Sequence, residues 1–221
     1  MEHASISRIC FGHGDAASKE FAPGVPAFPP GTLAVDWSMG GREVKRDLIF
    51  RLLERVKHGI VFSRAELVQT DLGRPILMLD GKPGPHVSFT YDGRGRVFAS
   101  ICLLSPVGLD TAHPDEFSGS YPFGRAFLED ELERAMVLTG SQTTAAALVW
   151  AFKEAAVKAM GTGFNQVDPR CVLVDDLQCQ DDRYCAFVRA NRMTIPARAC
   201  RLEDYYLTLA LDNSAQSSLY S

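Results

Sequence analysis

The sequence predicts an α+β chain in two similar halves, each a helix packed on a small, mostly antiparallel sheet. Three features point to it. Residues 42–56 (REVKRDLIFRLLERV) place Val44, Leu48, Ile49, Leu52, Leu53 and Val56 at helical spacing, with charged residues on the other faces. Residues 65–110 then switch to short β-rich runs broken by Asp-Gly turns. After Asp110 the order of helix and then strands returns, although no residue-level repeat accompanies it.

Taken in order, residues 1–31 hold the proline-dense FAPGVPAFPPG, which suits neither a helix nor a central strand and reads as an arm or loop. TLAVDW opens the first lobe as a strand, and the amphipathic helix follows. AELVQT, RPILML, HVSFTY and VFASICLL read as strands, with LDGKPGP and YDGRGR between them. Tyr91 to Gly95 is expected to close a hairpin, and the last strand to run through Ser105-Pro106 into VGLD. TAHPDEFSGSYPFG reads as loop. FGRAFLEDELERAMVL and SQTTAAALVWAFKEAAVKAM read as helices, the second stopped by Gly161 and Gly163. RCVLVDDLQ, YCAFVRA and DYYLTLALD complete the chain as strands. The expected organisation is an arm (1–31), an N-terminal lobe (32–105) and a C-terminal lobe (106–221), forming one compact unit.

Composition narrows the function. With 221 residues, 46% of them hydrophobic, the chain can bury a sizeable core, and a net charge of −4 argues against nucleic acid as partner. The N-terminus has no basic segment leading into an apolar run, and the longest apolar stretch, near Ala145 to Phe152, is too short for a bilayer. No membrane association and a cytoplasmic location are therefore expected. The six cysteines are scattered without a C-x-x-C pair and read as reduced, and the five histidines show no ligand spacing with them, so no zinc site is predicted.

Two short pieces carry chemistry. In WAFKEAAVKAMGTGF (150–164), Trp150, Glu154 and Lys158 fall on one helical stripe among alanines and apolar residues. Taken alone, Glu154 and Lys158 read as a surface i,i+4 pair, worth about 0.3–0.5 kcal/mol. The apolar surroundings instead suggest a buried helix whose charges need partners or a ligand. Lys153 is open between a structural, a surface and a site lysine. VGLD (107–110) sets Asp110 directly after an apolar strand end, where a loop start or helix cap is the alternative reading.

Together, V-G-L-D and, roughly forty residues later, W-x-x-K-E-A-x-x-K-A-x-G-x-G resemble the 4'-phosphopantetheinyl transferase superfamily, in its larger, two-lobed Sfp type. Gly73-Arg74-Pro75 is similar to the family's G-[KR]-P element. Ser88 stands where the family has the first serine of N-[IL]-S-H-S, Arg46 where it has a nucleotide-gripping arginine, and Phe127 and Glu131 match F-x-x-x-E. The resemblance spans about residues 33–175 and implies two lobes related by a pseudo-two-fold, with the ligand between them. It further implies transfer of the phosphopantetheine group of coenzyme A to a serine of an apo acyl or peptidyl carrier protein, releasing 3',5'-ADP. Asp110 and Glu154 would then bind Mg2+, Glu154 would act as general base, and Lys158 would face the leaving phosphate. Arg46, Arg74, Ser88 and Phe89 would contact coenzyme A.

Two positions depart from the family pattern. Phe89 replaces the S-H-S histidine that meets the 3'-phosphate, leaving Lys82, His86 or Arg94 to supply that contact. Ala112 replaces the second acid of D-x-E, leaving His113, Asp115 or Glu116 as substitutes, or water and phosphate oxygens to complete the coordination. These departures also fit an alternative, a degenerate or repurposed homologue that binds a carrier protein or an acyl-pantetheine substrate.

Overall fold

The computed structural model describes residues 33–40, 44–56 and 62–213, so the expected arm lies outside the described residues. The first sheet consists of β1 (Leu33–Met39), β6 (Arg96–Cys102) and β5 (His86–Tyr91), antiparallel in the order β1-β6-β5. Helix α1 (Val44–Arg55) buries Leu48, Ile49, Leu52 and Leu53, the expected stripe, against β1 and β6. A smaller antiparallel sheet, β2 (Ala65–Gln69), β3 (Pro75–Leu79) and β4 (Lys82–Pro83), shares that core through Leu77 and Leu79. The hairpin expected at Tyr91 to Gly95 is present: Tyr91 pairs with Val97, and Gly95 turns the chain at φ 83°.

The second sheet runs β7 (Val107–Ala112), β11 (Tyr205–Leu211), β10 (Met193–Leu202), β9 (Arg183–Ala190) and β8 (Leu173–Gln180), all antiparallel. Instead of continuing one strand, the chain leaves the first sheet at Cys102 and enters the second at Val107, just after Pro106, which cannot donate to a ladder. Strand β10 has no counterpart in the sequence reading, because Pro196 within MTIPARACRL argues against a central strand. The register resolves this: Pro196 pairs with Phe187 of β9, but β10 begins to pair with β11 only at Ala197, so the proline sits where one edge is open.

Two helices pack on this sheet, α2 (Glu129–Thr139) and α3 (Gln142–Met160). The helix expected over 123–138 is shorter, because Phe123–Arg125 is a separate 3-10 turn. Ser141 caps α3 by accepting the Thr144 amide at 3.2 Å, and Gly161 ends it in the left-handed region at φ 73°. Between Ala145 and Ala159 every residue of α3 is buried except Trp150, Glu154 and Lys158. The stripe read from the sequence is the one partly open face along this part of the helix.

The alanines of α3 have a steric cause. At Gly108 an added Cβ would stand 1.8 Å from the Ala155 carbonyl oxygen and 2.6 Å from the Ala159 amide nitrogen. Strand and helix touch backbone to backbone, which only glycine on one side and small side chains on the other permit. Lys153 is fully buried and structural. Its ammonium meets Glu131 at 2.7 Å and donates to the carbonyls of Ala126 (2.9 Å) and Pro169 (3.0 Å), while Glu131 also accepts the Val174 amide at 2.9 Å. One well-satisfied ion pair therefore ties α2, α3 and β8 together.

A shared apolar cluster joins the two sheets, with Leu33, Val35 and Phe98 in one group with Leu109, Leu207 and Leu209. Among the described residues no single helix is long and apolar enough to cross a membrane. Cys102, Cys171, Cys179 and Cys185 are free thiols, whereas Cys200 is disulfide-bonded, against the expectation of a fully reduced set.

Gly108→Ala is expected to lower stability by about 2–3 kcal/mol in urea denaturation, because neither backbone can give way cheaply. A loss below about 0.5 kcal/mol would show that β7 and α3 are less tightly joined than this contact requires.

Candidate active site

Strand β7 carries Asp110 to the seam between the two large sheets, where the residue is 6% exposed. Lys158 reaches it from α3: the ammonium lies 2.6 Å from Asp110 Oδ1 and donates to the Leu109 carbonyl at 3.1 Å. Glu154, one turn earlier on the same stripe, lines a cavity of about 400 Å³ together with Lys158. Both acids belong to the second sheet and its helix, so they do not face each other from opposite lobes. What the first sheet contributes is the opposite wall, through Ser88 and Phe89 of β5, and the small sheet adds Arg74.

Strands β5 and β7 lie side by side without a backbone ladder between them. Side-chain hydroxyls join them instead. Ser88 Oγ accepts the Leu109 amide at 3.0 Å, and Thr90 Oγ1 accepts the Thr111 amide at 3.3 Å and donates to Asp110 Oδ1 at 3.3 Å. Thr111 Oγ1 donates to the Tyr91 carbonyl at 3.1 Å. These bonds satisfy facing backbone groups where no ladder forms, and Val87, Ser88, Phe89 and Tyr91 of β5 line the cavity.

The electrostatics of the site follow from its charges. Two carboxylates, Asp110 and Glu154, share a single ammonium in a poorly solvated place. Burial raises the Asp110 pKa, against the pull of Lys158, the Thr90 hydroxyl and the Thr111 amide. Glu154 makes no hydrogen bond to the described residues; burial first and the charge of Asp110 second push its pKa up to about 7, with Lys158 opposing. One negative charge is left over, and a proton or a cation can offset it.

The other expected residues are placed unequally. Arg74 lies on the cavity wall, its guanidinium against Gly161, so the cation sits at the negative end of α3. Ser88 and Phe89 are also on the wall, although the Ser88 oxygen is engaged by Leu109. Arg46 is not brought here. It covers Phe50, 5.6 Å from the ring centre, and lines a separate apolar cavity of about 220 Å³ with Leu67 and Leu77. One residue is about 100° of helix, so directing position 45 toward β5 turns position 46 away. Lys45 is the cation that sequence reasoning missed. Its ammonium lies 4.9 Å from the centre of the Phe89 ring and 5.2 Å from that of Tyr91, and all three line the cavity. Of the alternatives for phosphate recognition, Lys82 and His86 do not line it, and Arg94 lines a neighbouring cavity.

That second cavity, about 450 Å³, holds the substitutes considered for the missing acid. The His113 ring accepts the Asp115 amide at 3.3 Å and meets Asp204 at 3.0 Å, and Glu116 accepts the His113 amide at 2.8 Å. These groups serve the local turn and its tie to the β10–β11 loop. Among the described residues no group of three or more His, Cys, Asp or Glu side chains is arranged to hold a metal ion. The Asp110 and Glu154 pair nevertheless fits a hard divalent cation in kind. It supplies carboxylate oxygens and an unbalanced charge, and such a cation takes its remaining ligands from water and phosphate.

Residues 106–210 match the family model of the 4'-phosphopantetheinyl transferase superfamily. The match runs from just before β7 nearly to the end of β11 and contains Asp110, Glu154 and Lys158, whereas Arg74, Ser88 and Phe89 precede it. It supports a phosphopantetheine transferase function in general. No curated protein matches the chain.

The raised Glu154 pKa predicts a pH-dependent cost. Well below pH 4.5 folded and unfolded chains are both protonated there, and the group is neutral to stability. As pH rises toward 7 the unfolded chain ionises first, so stability is lost, and the full cost is present above 7. Glu154→Gln is therefore expected to be more stable than the native chain at about pH 8 by roughly 1–3 kcal/mol, with the gain vanishing on acidification. Urea titrations across this range, without divalent cations, check it; a gain independent of pH would refute the cause assigned.

Proposed function

We propose that this protein transfers the 4'-phosphopantetheine group from coenzyme A to a serine of an apo acyl or peptidyl carrier protein, in the cytoplasm and with Mg2+. The observation that carries the reading is the joining of Asp110 to Lys158, which itself lines a cavity with Glu154, Lys45 and Arg74. With it goes the reading of the two helix-on-sheet halves as lobes related by a pseudo-two-fold axis, divided between residues 105 and 106.

Asp110 and Glu154 would hold the magnesium ion. When bound, it supplies charge that offsets the repulsion between the diphosphate and these acids, about 4 kcal/mol for each like-charge pair 4 Å apart at an effective dielectric near 20. Glu154, on the same stripe as Lys158, is assigned to take the proton of the attacking serine hydroxyl, directly or through water. Lys158 holds positive charge where the leaving phosphate develops its negative charge. Lys45 and Arg74 bind phosphate, Ser88 can still donate its hydroxyl hydrogen, and Phe89 offers a flat apolar surface to the nucleotide. Arg46 has no part in this assignment. The 3',5'-ADP leaves, and the carrier departs in its holo form.

A second reading has an observation in its favour. Ala112 and Phe89 supply neither a carboxylate nor a phosphate donor, and Lys158 already occupies Asp110 Oδ1. A homologue that binds a carrier protein or an acyl-pantetheine substrate without transfer fits the same facts.

Incubation with coenzyme A, Mg2+ and several apo carrier proteins should add one phosphopantetheine mass to a carrier in intact-mass spectrometry, and Glu154→Ala should abolish the gain. Carrier binding with no mass gain on any carrier would favour the second reading. In calorimetric titration of coenzyme A, Lys45→Ala should weaken binding about tenfold and Arg46→Ala by less than about twofold. The reverse order would restore Arg46 to the nucleotide.

A further inference from the structure

We propose that Thr90 is a positioning residue, whose hydroxyl, delivered by β5, holds the Asp110 carboxylate so that one oxygen meets Lys158 and the other is left to a divalent cation. The inference rests on the reading of Asp110 as a cation ligand.

Thr90 is 5% exposed and stands in the seam between β5 and β7. A hydroxyl has one hydrogen to give and two lone pairs to accept with. The Thr111 amide occupies one lone pair, at 3.3 Å, and the Thr111 hydroxyl gives its own hydrogen to the Tyr91 carbonyl at 3.1 Å. Two acceptors are then in reach of the Thr90 hydrogen, Thr111 Oγ1 at 3.2 Å and Asp110 Oδ1 at 3.3 Å, and the charged oxygen is the stronger. Lys158 donates to that same Oδ1, at 2.6 Å, and the Thr111 amide also interacts with the Asp110 carboxylate, while no side chain among the described residues donates to Oδ2. Two donors from different elements on one oxygen fix the rotation of the carboxyl group and turn the other oxygen away from both.

The branching of threonine makes the device stiff, because its χ1 is restricted and the hydroxyl cannot swing freely. Its place on β5 adds a connection. Ser88 and Phe89, immediately before it, line the cavity, so a ligand that shifts β5 also shifts the donor that orients Asp110.

The test compares Thr90→Val, which keeps the shape and loses the hydroxyl, with Thr90→Ser, which keeps the hydroxyl. Thr111→Val serves as control, since it loosens the same seam at Tyr91 while leaving the Thr90 hydroxyl and Asp110 in place. Mn2+ binding to each full-length protein, without coenzyme A, is read by electron paramagnetic resonance. Thr90→Val should bind Mn2+ about tenfold more weakly, and Thr90→Ser and Thr111→Val within about twofold of the native protein. Where transfer is measurable, Thr90→Val should lower kcat and leave KM for coenzyme A unchanged. Native affinity in Thr90→Val, an equal loss in Thr90→Ser, or the same loss in Thr111→Val would overturn the proposal. A native protein that binds no Mn2+ would overturn this inference, and the carrier mass assay then decides the functional reading separately. One that shows the Thr90 pattern yet modifies no carrier would remove the reaction and keep the positioning role.

Discussion

The backbone contact between β7 and α3 sets the geometry from which the site follows. Gly108 lets the strand lie on the Ala155 carbonyl, a separation that no side chain at 108 would allow. Two residues further along the strand is Asp110, and three residues further along the helix from Ala155 is Lys158. Once the two backbones touch, strand direction and helix pitch leave the carboxylate and the ammonium within hydrogen-bonding distance. The alanine content of α3 serves this contact, since small side chains at 155, 156 and 159 let the helix lie close on β7 and β11.

Within six residues of α3, two lysines meet opposite fates for a common reason. Lys153 is enclosed, and its ammonium finds a carboxylate and two carbonyls, so its charge is matched inside the protein. Lys158 faces the cleft and finds one carboxylate and one carbonyl, while a second carboxylate, Glu154, stands nearby without a hydrogen-bonding partner among the described residues. A matched buried pair stabilises the scaffold, whereas an unmatched acid is held at a cost in folding free energy and is available to a ligand.

The two sheets meet at edge strands, β5 and β7, that do not pair. The hydroxyls of Ser88, Thr90 and Thr111 satisfy the facing backbone groups and keep the strands at side-chain distance. On the first-sheet side the helix phase of α1 decides which cation serves the cleft, and it presents Lys45 over Phe89 and Tyr91.

Much of this was legible in the chain before any coordinates. The element types of both halves, the hairpin at Tyr91 to Gly95 and the Trp150, Glu154 and Lys158 stripe depend on local periodicity and turn chemistry, and Asp110 stood out by its place after an apolar strand. Other features depend on contacts between distant segments. The choice of Lys45 over Arg46 rests on how α1 is rotated on its sheet, and the burial of Lys153 rests on Glu131 arriving from another helix. Strand β10 was masked by Pro196, whose tolerance depends on which neighbour pairs at that one position. Spacing along the chain dictates which residues share a face, but only the packing of that face against others settles which charges are matched and which are left for a ligand.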